Sequence, residues 1–290
     1  MSSPFFLCPF DEPLIHRLQG KSIVPSIKSI EDVSRVVDTV AQAGAHLHCL
    51  RILTKAPLST LPFREEWKHV PIALYTSGLG RFSQFINRLP VLRQLNIRVY
   101  LSTDSDENYT NIRILSSLGI ETAAAFNLKK IDWERLNDLM SYAFFAQAPH
   151  APIDPFHYVS SRYDKNRRTD FGAVYFDDPR TYLHLDKEGR VALSSEDLEA
   201  GRFLFEHIEM IEQIEKHEKY QQGLNRWREV FLHGFGCASC PGWRICLGKF
   251  SRTPLTGQGC REFFTEMMDQ VEKHQEIIRQ RTKEKIRWQP

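Results

Sequence analysis

Apolar runs with a strand period alternate with helix-period segments through the first half of the chain, which is the pattern of a parallel α/β sheet or barrel. Ile30, Val33, Val36, Val37, Val40 and Ala41 form one apolar stripe ending at Gly44; Ser29 stands at a capping position and Asp32 at the complementary third position. The run HLHCLRILT from His46 to Thr54 reads as a strand, as do PIALYTS from Pro71 and IRVYLST from Ile97. FSQFINRLPVLRQLN between the last two reads as helix interrupted at Pro90. A helix over NIRILSSL stops at Gly119, IETAAAFNL follows as a strand, and Asp132 caps a helix carrying Trp133, Leu136, Leu139, Met140 and Phe144.

The texture then changes. APHAPIDPFH holds three prolines between Pro149 and Pro155 and marks a boundary, giving a first domain over 1–155 and a second over 156–290. In the second, TYLHLDKEGRVALSS predicts a hairpin turning at Lys187, Glu188 and Gly189. A long amphipathic helix is predicted from about Ser195 to Val230, and a polar helix from Arg261 to Arg287. No internal repeat or low-complexity segment interrupts the pattern.

Composition fits a folded protein: of 290 residues, 42% are apolar and 26% charged. The balance of 38 basic and 36 acidic residues gives a net charge of +2, so no global field recruits nucleic acid or an anionic membrane. No apolar run reaches the roughly 18 residues that cross a bilayer, and MSSPFFLCPFDEP lacks the basic start of a signal peptide. The sequence therefore predicts a cytoplasmic protein, where clustered cysteines favour metal or redox chemistry over disulfides.

Of six cysteines, three lie in GCASCPGWRICLGKF: Cys237, Cys240 and Cys246, spaced C-x2-C-x5-C, with Cys260 following after a gap in TGQGCREFF. Four thiolates close a tetrahedral shell around zinc or hold a four-iron cluster at its corners, and spacing alone leaves both readings open. Pro241, Gly242, Gly248 and Gly257 suit the tight turns of such a loop, and Trp243 and Phe250 are candidates to shield it.

With its preceding helix and hairpin, this stretch resembles the SPASM domain, the module that carries auxiliary [4Fe-4S] clusters in many radical SAM enzymes. The resemblance places Cys237, Cys240, Cys246 and Cys260 on the four ligands of the outer auxiliary cluster, and Phe250 where a cysteine serves the inner one. The hairpin strand RVALSSED carries no further inner-cluster ligand. One [4Fe-4S] cluster retained and one lost is what the resemblance implies. It extends over the first half: the family's GGEPL motif falls on Thr54, Lys55, Ala56, Pro57 and Leu58, and its TNG-like turn on Thr76, Ser77 and Gly78. The implied fold is α/β, a degenerate partial (β/α) TIM-type barrel followed by a small SPASM-like α+β iron–sulfur domain.

The N-terminus departs from the family. Radical SAM chemistry requires C-x3-C-x2-C, and with Cys8 as its first member the partners fall on Glu12 and Ile15. The expectation is a pseudoenzyme that does not cleave S-adenosylmethionine. It would serve as partner, electron-transfer or substrate-presenting subunit of an active radical SAM enzyme in peptide or protein maturation. Two alternatives remain: an enzyme with a repurposed barrel using the single cluster for redox chemistry, and a zinc-stabilised module binding peptide or nucleic acid.

Other candidates have plainer readings. Cys8 and Cys49 suit small buried hydrophobes. His46 and His48 share a strand face, and His207 and His217 sit among glutamates on a solvated helical face rather than in H-E-x-x-H. Arg162, Lys165, Arg167 and Arg168 around Tyr163 form a basic loop that suits an acidic peptide or RNA, or simply solvent. The basic RQRTKEKIRW segment suits a helix end.

Overall fold

The computed structural model describes residues 4–126, 131–211, 214–225, 236–249 and 257–287. Among them are ten strands: β1 (Phe5–Pro9), β2 (Ser22–Ile27), β3 (His46–Leu47), β4 (Leu50–Leu53), β5 (Ile72–Thr76), β6 (Ile97–Ser102), β7 (Glu121–Ala125), β8 (Ile153–Asp154), β9 (Tyr182–Leu185) and β10 (Val191–Ala192). The chain forms two compact units. Unit 1 comprises Met1–Ser102 and Tyr175–Arg226, and unit 2 comprises Thr103–Val174 and Trp227–Pro290. The boundary placed at 155/156 by the proline-rich texture falls inside unit 2.

In unit 1 the strand order is β10-β9-β1-β2-β4-β5-β6, with β3 also beside β2. Every pair is parallel except β9 with β10. Parallel strands are covered on both faces and so consist of nearly continuous apolar runs. Phe6, Leu7 and Cys8 of β1, Ile23 and Val24 of β2, Ile72, Ala73 and Leu74 of β5, and Val99 to Leu101 of β6 are all buried. Among the described residues the strand path does not close into a barrel; the architecture is an open, largely parallel α/β sheet. No helix among them is long and apolar enough to cross a membrane.

Local signals operate largely as read. The Ser29 hydroxyl accepts the Glu31 N–H at 3.2 Å and starts a 3-10 turn that runs into α2 (Val33–Gln42); Val33, Val36 and Val40 of that helix are buried. The predicted strand 46–54 splits into β3 and β4. Pro90 does not merely interrupt a helix: it sits in the first turn of a separate one, Leu89–Leu92, where its missing N–H costs nothing.

Two expectations are corrected. The hairpin assigned to the second domain joins unit 1, where β9 lies parallel to β1 with Phe5 opposite Tyr182 and Leu7 opposite His184. The long helix from Ser195 to Val230 is broken. Its first piece, Ser195–Glu199, is capped by Ser194 and ends before Gly201, whose φ of 66° stops a helix as a left-handed glycine does. Arg202 folds back to Asp197 at 2.8 Å, and Phe205 bridges to Val191 of β10. Leu204, Phe205 and Ile208, whose spacing is compatible with a helical stripe, are buried in this folded-back arrangement. Single turns at Ile208–Ile211 and Ile214–Lys216 lead to a helix at Glu218–Leu224, and 226–230 lie outside the described residues.

Unit 2 pairs β7 with β8 and surrounds them with helices. Asp132 accepts the Arg135 N–H at 3.1 Å and caps the helix Trp133–Phe145 as expected. That helix packs on the C-terminal helix Gly257–Arg287, with the Trp133 and Phe263 rings 5.2 Å apart. The approach is so close at Gly259 that an added Cβ would lie 2.2 Å from Trp133 Cδ1.

Two predictions follow from these contacts. Gly259→Ala is expected to lose about 1–3 kcal/mol of stability by overpacking, checked by urea unfolding; an unchanged midpoint contradicts the contact. His184, only 5% exposed, is pushed down from 6.5 to about 4 by burial, with Asp177 opposing and Arg51 reinforcing the shift. The unfolded chain protonates this histidine near 6.5 and the folded chain only near 4. Its stabilising contribution is therefore complete above that window and is lost as pH falls through it, on the order of 3 kcal/mol. Unfolding of wild type and His184→Phe at neutral and acid pH checks this: the variant's pH dependence should be shallower, and parallel curves would refute it.

Candidate metal centre

The four clustered cysteines all fall in unit 2, where two short turns and one helix position them. Gly236, at φ 71°, opens a 3-10 turn over Cys237–Ser239. The Cys240 N–H donates to the Cys237 carbonyl at 3.1 Å and the Trp243 N–H to the Cys240 carbonyl at 3.3 Å, so C-x2-C is a tight double turn. The helical turn Trp243–Cys246 carries the third thiol, and Leu247 and Gly248, both at positive φ, reverse the chain behind it. Cys260 stands in the first turn of the C-terminal helix.

That helix lies directly against the cysteine loop. A Cβ on Gly242 would sit 2.3 Å from Phe264 Cβ, so only glycine admits this approach. Thr169 donates its N–H to the Arg244 carbonyl at 3.0 Å, and Lys249 pairs with Asp170 at 3.3 Å. The sequence reading took Gly242 as a turn residue and missed both its contact with Phe264 and the contribution of Thr169 and Asp170. Nothing in their local pattern signals contacts so distant in sequence.

All four cysteines are buried. Burial pushes the Cys246 thiol well above its ordinary range, and the nearby Cys260, Cys240 and Cys237 push it further. Cys260 is raised to about 11, first by burial and then by Cys240 and Cys237. The fold thus brings the predicted quartet within mutual electrostatic reach, and its donor set matches a four-thiolate centre in number and burial. Among the described residues, no three cysteine, histidine or acidic side chains form a ready-made coordination shell, so a metal has to draw the thiolates inward and displace their protons. Phe250 lies outside the described residues.

The N-terminal positions are structured differently. Cys8 is buried in β1 and its thiol is pushed up to about 12 by burial. Glu12 opens a helix, Glu12–Arg17, capped by Asp11, and pairs with Arg35 at 2.7 Å; Ile15 is fully buried. The segment matched to GGEPL does meet the segment matched to the TNG turn. Thr76 donates its hydroxyl to the Ala56 carbonyl, the Leu58 N–H donates to the Gly78 carbonyl at 3.0 Å, and the Ser59 N–H to that of Leu79 at 3.0 Å. The Ala56 N–H is held by Thr54 Oγ1. These backbone donors are used within the protein.

The remaining candidates disperse. His48 stacks on Phe5 with ring centroids 3.6 Å apart, while His46 and His207 are exposed. His217 packs edge-on against Phe205. Cys49 is half-buried, its thiol raised to about 11 by burial. The basic loop is tied down: Tyr163 donates to Glu272 at 3.1 Å, Lys165 pairs with the same carboxylate at 2.9 Å, and Arg244 donates to the Lys165 carbonyl. Arg162 lies over Tyr158 and Arg167 pairs with Asp164.

No family model and no curated protein matches the chain. Among solved structures, the crystal structure of Streptococcus suis SuiB is similar at 12% identity. The match covers 84% of this chain and 72% of that one with a TM-score of 0.43.

In metal-free protein, alkylation of Cys260 by iodoacetamide is expected to quicken about tenfold per pH unit above neutrality, following its thiolate fraction. Peptide mapping by mass spectrometry checks this, and fast, pH-independent labelling would contradict the raised thiol.

Proposed function

We propose that this chain is a noncatalytic iron–sulfur protein, holding one [4Fe-4S] cluster on Cys237, Cys240, Cys246 and Cys260 and serving as a partner subunit to an active radical SAM enzyme. The observation that carries the reading is that four buried thiols of unit 2 lie within electrostatic reach of one another, Cys246 feeling the other three and Cys260 feeling Cys240 and Cys237. It gains support from unit 1, where Glu12 is bound to Arg35 and Ile15 is sealed in the core, leaving Cys8 without cysteine neighbours at the family's spacing.

With four protein thiolates on four irons, such a cluster supplies one-electron transfer and has no open iron for substrate. The protein's own residues position and insulate it. Gly236 and Gly248 turn the backbone around the thiols, Gly242 lets Phe264 close over the loop, and burial holds the Cys246 and Cys260 thiols protonated, so a metal would have to displace those protons. The role in peptide or protein maturation follows from the resemblance to the SPASM family, and the use of Ala56, Leu58 and Ser59 donors within unit 1 fits a chain that does not cleave S-adenosylmethionine.

Anaerobic purification followed by iron, sulfide and zinc analysis tests the centre. A brown protein with about four irons is expected, with colour lost in Cys246→Ala. A colourless protein holding one zinc overturns the cluster and favours the zinc-stabilised binding module. Copurification with an active radical SAM protein tests the partnership, and a monomer indifferent to such enzymes counts against it.

A further inference from the structure

A second chemical constellation lies wholly within unit 1, on the sheet face shared by alternate residues of β1, β4, β5, β6 and β9. Aromatic rings form a continuous band there. Tyr75 stacks on Tyr100 at 4.3 Å; Tyr100 meets Phe176 at 6.5 Å; Phe176 meets Tyr182 at 5.3 Å; and Tyr182 meets Phe5 at 5.7 Å. The Arg51 guanidinium is set into this band, 5.5 Å from the Tyr75 ring centre and 5.3 Å from that of Phe176.

Three observations separate this arrangement from ordinary core packing. Phe176 has φ 59°, a conformation that is costly for a bulky residue and that persists only where surroundings impose it. Its placement gives Arg51 a second aromatic wall. Arg51 Nε and His184 Nε2 are both buried with no hydrogen-bond partner, and Arg51 has no ion pair among the described residues. The guanidinium is half-buried between the Tyr75 and Phe176 rings; it reaches the Tyr75 hydroxyl and still leaves its buried Nε without a partner, whereas buried polar groups are normally satisfied.

The two side chains offer opposite chemistry. Arg51 is a fixed cation with a planar fork that suits a carboxylate. His184, bonded through its ring to the Phe176 backbone, is neutral near pH 7, so its bare Nε2 accepts a hydrogen bond. Asp177 and Asp197 also act on His184, Cys49 lies within electrostatic reach of Arg51 and Arg98, and His48 stacks on Phe5 beside Tyr182.

We propose that this face binds a carboxylate that carries a neighbouring N–H or O–H and an aromatic or apolar group. Arg51 receives the carboxylate, His184 Nε2 accepts the donor, and the Tyr75, Tyr100 and Phe176 rings receive the apolar part. Two sources share this chemistry: the C-terminal residue of a peptide, whose carboxylate follows an amide N–H, and a free aryl hydroxy acid. All the groups belong to unit 1 and the four cysteines to unit 2, so ligand binding and metal loading are separately measurable and either can fail without the other.

Isothermal titration calorimetry on the full chain tests this with three probes: mandelate, an acetylated tripeptide ending in phenylalanine with a free carboxylate, and the same tripeptide as its C-terminal amide. Binding of at least one carboxylate is expected, with the amide form at least about tenfold weaker than the tripeptide acid where the peptide binds. Arg51→Gln should weaken binding by a similar factor. Mandelate alone identifies the small acid as the source, the tripeptide acid alone a peptide terminus, and both together the shared chemistry. Failure of both carboxylates to bind, or equal binding by the amide, overturns the proposal. Undiminished binding to Arg51→Gln does so as well; should that variant not fold, mandelate against its methyl ester on the wild type provides a second comparison, and equal binding there is equally fatal.

Discussion

The seat of Phe264 against Gly242 governs the candidate metal centre. A helix starting near Cys260 contributes that thiol only if its first turns lie against the loop bearing the other three, and any side chain at 242 would hold the two surfaces apart. The same helix is fixed along its length by Trp133 on Phe263, by Ser160 on His274 at 2.8 Å, and by Gln275 on the Ser160 carbonyl at 2.8 Å. The cysteine loop thus inherits its position from apolar packing and a few part-buried hydrogen bonds.

The two stretches in which the resemblance looks for cluster cysteines are built differently. Where the resemblance places cluster cysteines near the N-terminus, the chain has built ordinary structure: a capped helix, an ion pair and a buried isoleucine. Reintroducing cysteines at Glu12 and Ile15 would remove the Arg35 partner and hollow the core at Ile15. The C-terminal quartet, by contrast, is buried at all four places, and burial raises the Cys246 and Cys260 thiols.

Features governed by neighbouring residues were legible in the sequence. Ser29 and Asp132 cap helices through contacts within three residues, and the apolar runs at 72–76 and 97–102 need only burial to become strands. The cysteine spacing likewise pointed to a cluster of thiols, and the four do lie buried within one unit. What escaped was set by distant contacts. Leu204, Phe205 and Ile208 have the spacing of a helical stripe, yet the fold-back onto Val191 uses them otherwise. The hairpin fell to the second domain because nothing in Tyr182–Leu185 says that its neighbour is Phe5 to Leu7. The meeting of Arg51, Phe176 and His184 is invisible for the same reason, since each residue looks unexceptional in its own segment.

The interleaving of the two units has a consequence for biogenesis. The chain leaves unit 1 after Ser102, returns at Tyr175 and leaves again after Arg226, so no single cut releases unit 2 intact. Every described strand precedes Cys237 in the sequence. A nascent chain therefore exposes all its described strands before the four clustered cysteines leave the ribosome, and the loop of unit 2 that contains Thr169 and Asp170 must wait for Arg244 and Lys249, which rest on it. Chain order thus makes the sheet of unit 1 available first and leaves the packing of the cysteine loop to the end of synthesis.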